Sequence, residues 1–308
     1  MHAVVFPAAA IVILSLISIC FIFPTEELLT FFKTLRDGIS HWFGWLYVGT
    51  MSGFLLFALW LAFGRFGSLR LGADDSKPEF SRLSWFAMLF SAGMGIGLLF
   101  YSVAEPIDHF TSPPPTYNVA GGPDQLAMAM TVFHWGLHPW ALYAVVGLCL
   151  AYFGFRKDMP LSFRSVLEPI LGQRVWGRLG DCIDLLAIVA TLTGVATSLG
   201  IGAQQVNAGL TFLFGISDSV RTQVVLIASI TAVATVSVVL GLDAGIRRLS
   251  EFNMSMAVLL MLMVICGGGI VAFAAGCFSN TWSYLQLLPH ASVTTGIVDT
   301  KAKGWLTG

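Results

Sequence analysis

The sequence predicts an all-α integral membrane protein, and three observations carry that prediction. Hydrophobic residues fill 56% of the 308 positions and charged residues only 11%, against about 25% charged in an ordinary soluble domain. Mean hydropathy is +0.81. Long apolar runs cover 3–23, 42–63, 84–104, 126–154, 184–214, 221–242 and 253–276, each matching the roughly 20 residues that cross a hydrocarbon core. Seven transmembrane helices are expected.

The first run begins two residues after Met1 without a basic leader. It ends in "CFIFPTEE", which has no small-residue cleavage pattern, so it is read as a retained helix and not a signal peptide. The connection over 64–83 is polar and has a Lys-Pro step. "TSPPPTYNVAGGPD" (111–124) is a Pro/Gly-rich loop. "DMPLSFRSVLEPILGQRVWGRLG" (158–180) alternates apolar and basic groups, which suits a helix lying in the cytoplasmic interface. "SNTWSYLQLLPH" (279–290) is expected to lie flat on the external surface, and the last eighteen residues form no span. Connections two-three, four-five and six-seven hold eleven Lys and Arg against five on the other side, so the amino terminus is expected in the cytoplasm.

Several classes are set aside. The net charge is -1 and no basic block is present that could track phosphates, so nucleic-acid binding is not expected. The five cysteines have no motif spacing and read as small hydrophobes, not as a disulfide framework. No Ser-His-acid or paired-carboxylate arrangement occurs at membrane depth, so the chain is not expected to be an enzyme.

Two stretches carry chemistry. In "SAGMGIGLLFYSVAEP" (91–106), Gly93, Gly95 and Gly97 alternate inside an apolar run and weaken a helix by up to about 1 kcal/mol each. The backbone there can unwind beside a ligand. Equally, Gly93 and Gly97 have the Gly-xxx-Gly spacing of closely packed helices. In "TVFHWGLHPWALY" (131–143), a continuous helix of about 100° per residue brings Trp135, Trp140 and Tyr143 to one side, with a kink expected at Pro139. Aromatic faces hold a quaternary ammonium through cation–π contacts, since such a group has no N–H to donate; plain packing is the alternative. His134 and His138, spaced i, i+4, are able to share a metal or haem on one helix face, or to hydrogen-bond neighbouring helices as neutral side chains. "DLLAIVATLTGVATSLGIGAQQVNAG" (184–209) carries Thr191 and Thr193, whose hydroxyls either ligate sodium or bond back onto their own helix. Glu105 is placed to cap a helix or gate an entrance.

The segments "SWFAMLFSAGMGIGLLFYSVAEP" and "FHWGLHPWALYAVVGL", in this order, resemble the betaine/choline/carnitine transporter family over about residues 20 to 290. The resemblance implies the leucine-transporter architecture of inverted repeats. Residues 1–63 would be two peripheral helices, 64–83 a cytoplasmic connection, 84–276 the first five-helix repeat, and 277–308 an external amphipathic segment and truncated tail. It implies uptake of glycine betaine, or of a related trimethylammonium osmolyte such as choline or carnitine. Sodium would be the coupling ion, with a proton as the alternative. Gly93, Met94, Gly95 and Gly97 would lie next to the trimethylammonium group, Trp135, Trp140 and Tyr143 around it. Ser91 and Met94 would help to bind one sodium ion and Thr191 another. Val195 stands where sodium-coupled members have a second threonine, and Gly97 where proton-coupled members often have Asp. The resemblance further implies a bacterial cytoplasmic (inner) membrane and a homotrimer. Because the second repeat is not in these 308 residues, the chain is expected to be an incomplete carrier. The rivals are a membrane haem or metal redox protein using His134 and His138, and a non-transporting partner of full-length carriers.

Overall fold

The computed structural model describes residues 4–23, 25–93, 95–113 and 121–293. Among these residues there are eleven α-helices and no strand. They are α1 (Val5–Ile22), α2 (Thr25–Phe63), α3 (Arg82–Gly93), α4 (Ile96–Thr111), α5 (Pro123–Trp135), α6 (Leu137–Ala151), α7 (Phe163–Leu171), α8 (Arg178–Phe214), α9 (Val220–Val239), α10 (Arg247–Gly268) and α11 (Ile270–Ala291). π-helical turns at Tyr152–Arg156 and Leu242–Ile246 follow α6 and lead into α10.

Among the described residues, six stretches are long and apolar enough to cross a membrane: Val5–Ile22, Thr25–Phe63, Pro123–Arg156, Arg178–Phe214, Val220–Val239 and Leu242–Gly268. The predicted span 84–104 is instead two helices of 12 and 16 residues, separated between Gly93 and Ile96. Phe, Leu, Ile and Val side chains stand exposed along the long helices, the favourable arrangement where the surroundings are acyl chains. Many of the hydroxyl side chains along them are satisfied locally. Ser15, Ser18, Thr30, Thr34, Thr191, Thr193, Ser229, Thr235 and Ser255 each donate to the carbonyl four residues earlier at 2.7–2.9 Å.

The chain divides into two compact units. The first comprises Met1–Ser76, His109–Thr193 and Ser283–Gly308, the second Lys77–Asp108 and Gly194–Trp282. In the first, Leu126, Ala129, Met130 and Phe133 of α5 pack on Tyr284, Leu287 and Ala291 of α11. Both sets repeat at i, i+3 and i+7, the spacing of one helical face. The segment 279–290, expected to lie flat on the external surface, belongs to α11, and its apolar stripe is buried against α5.

Also in the first unit, Arg164 of α7 is buried against α8. Its Nε donates to Asp184 Oδ2 at 2.8 Å and its Nη2 to Asp181 Oδ1 at 2.9 Å. One of the basic residues of the segment expected in the interface is thus held in an internal ion pair. Arg156 donates to Asp74 Oδ1 at 2.6 Å and to the Gly72 carbonyl at 2.9 Å. That hydrogen bond, and then the guanidinium charge, hold the Asp74 carboxyl below the ordinary carboxylate range.

In the second unit α3 packs on α10 through small side chains. Ser84 Oγ donates to Glu251 Oε1 at 2.6 Å, Ser91 Oγ to the Ser250 carbonyl at 3.3 Å, and Asn253 Nδ2 to Ser91 Oγ at 3.2 Å. Ser81 caps the start of α3, its Oγ accepting from the Ser84 N–H at 3.2 Å. Gly269, at φ 84, ends α10 in a conformation that suits glycine, and its carbonyl accepts the Phe273 N–H as α11 begins.

Candidate functional site

The aromatic-rich segment is broken, and the break is not at the proline. α5 ends at Trp135, Gly136 is non-helical, and α6 begins at Leu137. Pro139 therefore falls in the first turn of α6, where a missing N–H costs nothing because that N–H would lack an intrahelical acceptor anyway. Gly136 is the residue the break demands: a Cβ there would collide with the Val132 carbonyl oxygen and lie 3.2 Å from the Tyr284 hydroxyl. The Leu137 N–H, orphaned by the break, donates to that same hydroxyl at 3.2 Å.

This geometry separates the rings that a continuous helix would align. Trp140 and Tyr143 share α6 and meet edge to face, with centroids 5.7 Å apart. Trp135, on α5, lies 5.0 Å from the His134 ring. It walls a cavity of about 280 Å³ with Val48, Met51, Ser52, His138 and Pro139. Trp140 instead walls an apolar groove of about 830 Å³ between α2 and α6, with Leu59, Ala62, Ala141 and Val145. The structure thus pairs Trp140 with Tyr143 and places Trp135 in another cavity across the break.

His138 is buried. Its Nε2 lies 3.2 Å from Ser292 Oγ and 3.4 Å from Ser52 Oγ. The same hydroxyls reach carbonyls, Ser52 that of Ser292 at 2.8 Å and Ser292 that of Leu288 at 2.6 Å. With the hydroxyl protons on those carbonyls, the network is completed by a proton on Nε2. The proposed metal or haem pair loses its premise here, because His134 and His138 stand on different helices across Gly136. Among the described residues no group of three or more His, Cys, Asp or Glu gathers to hold a metal. The five cysteines are unpaired.

The remaining candidates lie elsewhere. Gly93 and Gly95 flank the break between α3 and α4 and are exposed, and Gly97 is half-buried in α4. A Cβ at Gly95 would meet no atom within 4 Å, so close packing does not account for that glycine. Met94 lies outside the described residues. Ser91 is tied to α10 as above, and the carbonyls of the last turn of α3 have no N–H of their own helix to accept. Thr191 Oγ1 donates to the Ala187 carbonyl at 2.7 Å, which uses its proton and leaves its lone pairs. Glu105 is fully buried on α4. Sequence reasoning missed Tyr284, Ser52 and Ser292. The stripe of Tyr284, Leu287, Leu288 and Ala291 was the signal available for the first.

Multiple apolar stretches of spanning length, one of them interrupted by a break with large aromatic rings on both sides, define a multi-pass α-helical membrane protein. The family model described as BCCT, betaine/carnitine/choline family transporter, matches residues 4–308. The chain is 42% identical over 298 residues to a glycine betaine/proline/choline transporter of Vibrio parahaemolyticus, covering 91% of this chain and 54% of the relative. It is 45% identical over 269 residues to a glycine betaine transporter of Bacillus subtilis, covering 87% and 52%. To a glycine betaine transporter of Acinetobacter baylyi it is 40% identical over 310 residues, covering 99% and 46%. The chain belongs to the betaine/carnitine/choline transporter family, a family of transporters and not of enzymes. It spans about half the length of the curated relatives it matches.

Proposed function

We propose that the chain serves secondary active uptake of glycine betaine or a related trimethylammonium osmolyte, coupled to sodium, across a bacterial cytoplasmic membrane. The amino terminus lies in the cytoplasm on this reading, and residues 84–276 form the first five-helix repeat of a leucine-transporter-like core, with 1–63 peripheral to it. Homotrimerisation belongs to the same proposal. Trp135, Trp140 and Tyr143 supply ring faces to the ammonium, which attracts them through its charge alone. Gly93, Met94, Gly95 and Gly97 give the ligand access to backbone.

Ser91 and Met94 contribute to a sodium site at the end of α3, where last-turn carbonyls and the negative end of the helix dipole favour a cation. Thr191 contributes an oxygen donor to another sodium site. Its back-bond to Ala187 is compatible with this role, since a cation takes a lone pair and not the hydroxyl proton.

The observation that carries the reading is an identity of 40–45% to proteins named for glycine betaine transport, in a chain whose spanning segment Pro123–Arg156 breaks at Gly136 with aromatic rings on both sides. Binding of radiolabelled glycine betaine to the purified chain in nanodiscs, with sodium or potassium as the sole cation, tests it. Saturable binding that requires sodium is expected. Absence of binding in both salts would overturn the assignment for this chain.

A further inference from the structure

We propose that Tyr284 is a positioning residue for the aromatic segment: its hydroxyl holds the break at Gly136 in place and so sets where Trp135 points. The link to betaine rests on the function proposed above; the structural part does not.

The Tyr284 ring is buried on the α5 face made by Leu126, Ala129, Met130 and Phe133. Its hydroxyl accepts the first N–H of α6, that of Leu137, at 3.2 Å. One side chain is therefore wedged on the helix before the break and hydrogen-bonded to the helix after it. An orphaned backbone N–H in an apolar setting is costly. Of the early α6 residues, Pro139 has no N–H to satisfy, and Leu137 has this one partner supplied from α11.

Two neighbouring contacts keep α11 in register. Ser283 Oγ lies 3.1 Å from Gln125 Oε1 near the start of α5, and Ser292 Oγ meets His138 Nε2 at 3.2 Å on α6. Gly136 completes the fit, because the Cβ it lacks would crowd the hydroxyl. Trp135 is the last residue of α5, so a shift of the break moves its ring first.

The test is Tyr284→Phe, which keeps the ring and removes the hydroxyl, read in the full chain in nanodiscs. Hydrogen exchange at the Leu137 amide is expected to quicken by about fivefold, the worth of one ordinary hydrogen bond. The 19F signal of 5-fluorotryptophan at position 135, assigned by its loss in Trp135→Phe, is expected to shift. Leu287→Ala, which loosens the same seam but spares the hydroxyl, should lower the melting temperature and leave Leu137 exchange at the parental rate. Unchanged Leu137 exchange or an unmoved Trp135 signal in Tyr284→Phe would overturn the proposal, as would equal quickening in Leu287→Ala.

Glycine betaine affinity separates the two readings. If Trp135→Ala weakens binding and Tyr284→Phe does not, the positioning role is wrong. If neither does, the betaine assignment of Trp135 is wrong, and the exchange and fluorine data still decide the role of Tyr284.

Discussion

Replacing Arg164 with Met should destabilise the protein far more than removal of an exposed arginine. The change deletes the bonds to Asp184 at 2.8 Å and to Asp181 at 2.9 Å. The side chains of Arg164 and Asp184 are only 4% and 5% exposed, whereas Asp181 is 23% exposed. Asp181 can turn to water, but the Asp184 carboxylate is left buried without its counter-charge. Removing one partner of a buried pair costs about 3–5 kcal/mol, most of it from the charge left behind. The double variant Arg164→Met/Asp184→Asn removes that charge and should recover more than half of the loss. Thermal or denaturant unfolding in detergent micelles, followed by circular dichroism, measures both. A loss under about 1 kcal/mol, the range of a surface pair, would refute this reasoning. So would a double variant no more stable than the single one.

Three further outcomes are expected. Gly136→Ala drives a Cβ against the Val132 carbonyl and should cost about 1–3 kcal/mol, as overpacking does; parental stability in the same assay would argue against an obligatory glycine. Trp135→Ala should weaken glycine betaine binding by about thirtyfold, the equivalent of a desolvated cation–π contact of about 2 kcal/mol; unchanged affinity by calorimetry would remove Trp135 from the site. The Asp74 carboxyl is lowered by Arg156, so this pair's contribution is fully present above the unfolded carboxylate value of about 3.9 and fades as pH falls through the lower folded value. Arg156→Gln should therefore lower neutral-pH stability slightly, because Asp74 is largely exposed, and flatten the acid limb of a stability–pH curve by the same small amount; a steeper limb would contradict this.

What the sequence disclosed and what it hid differ by the range of the interaction. Apolar runs marked the spans because lipid acts on each helix separately, and among the described residues six of the seven predicted runs overlap stretches of spanning length. The aromatic wheel failed because a constant angle per residue assumes an unbroken helix. Pro139 drew attention as the breaker, yet a proline in a first turn breaks nothing, while Gly136 looked ordinary until the nearby Val132 carbonyl and Tyr284 were located. The stripe on α11 could be counted in the sequence, but its partner on α5 lies well over a hundred residues earlier. Arg164 similarly read as interfacial, since nothing local announces that Asp181 and Asp184 fold back upon it.

The hydroxyls that bond to their own helices bear on how such a chain is made. A helix carrying Ser15 and Ser18, or Thr191 and Thr193, arrives in the bilayer with those protons already accepted by carbonyls one turn away. It can leave the insertion machinery and wait in lipid without a neighbour. The Leu137 N–H, the His138 ring and the Arg164 guanidinium have no such local provision. The Leu137 N–H depends on Tyr284, and one of the two hydroxyls at His138 belongs to Ser292, both translated about 150 positions later. Synthesis therefore passes through a long interval in which the spans are settled but the broken α5–α6 segment lacks its fastening. A chaperone or insertase that shields polar groups in lipid would have its task there.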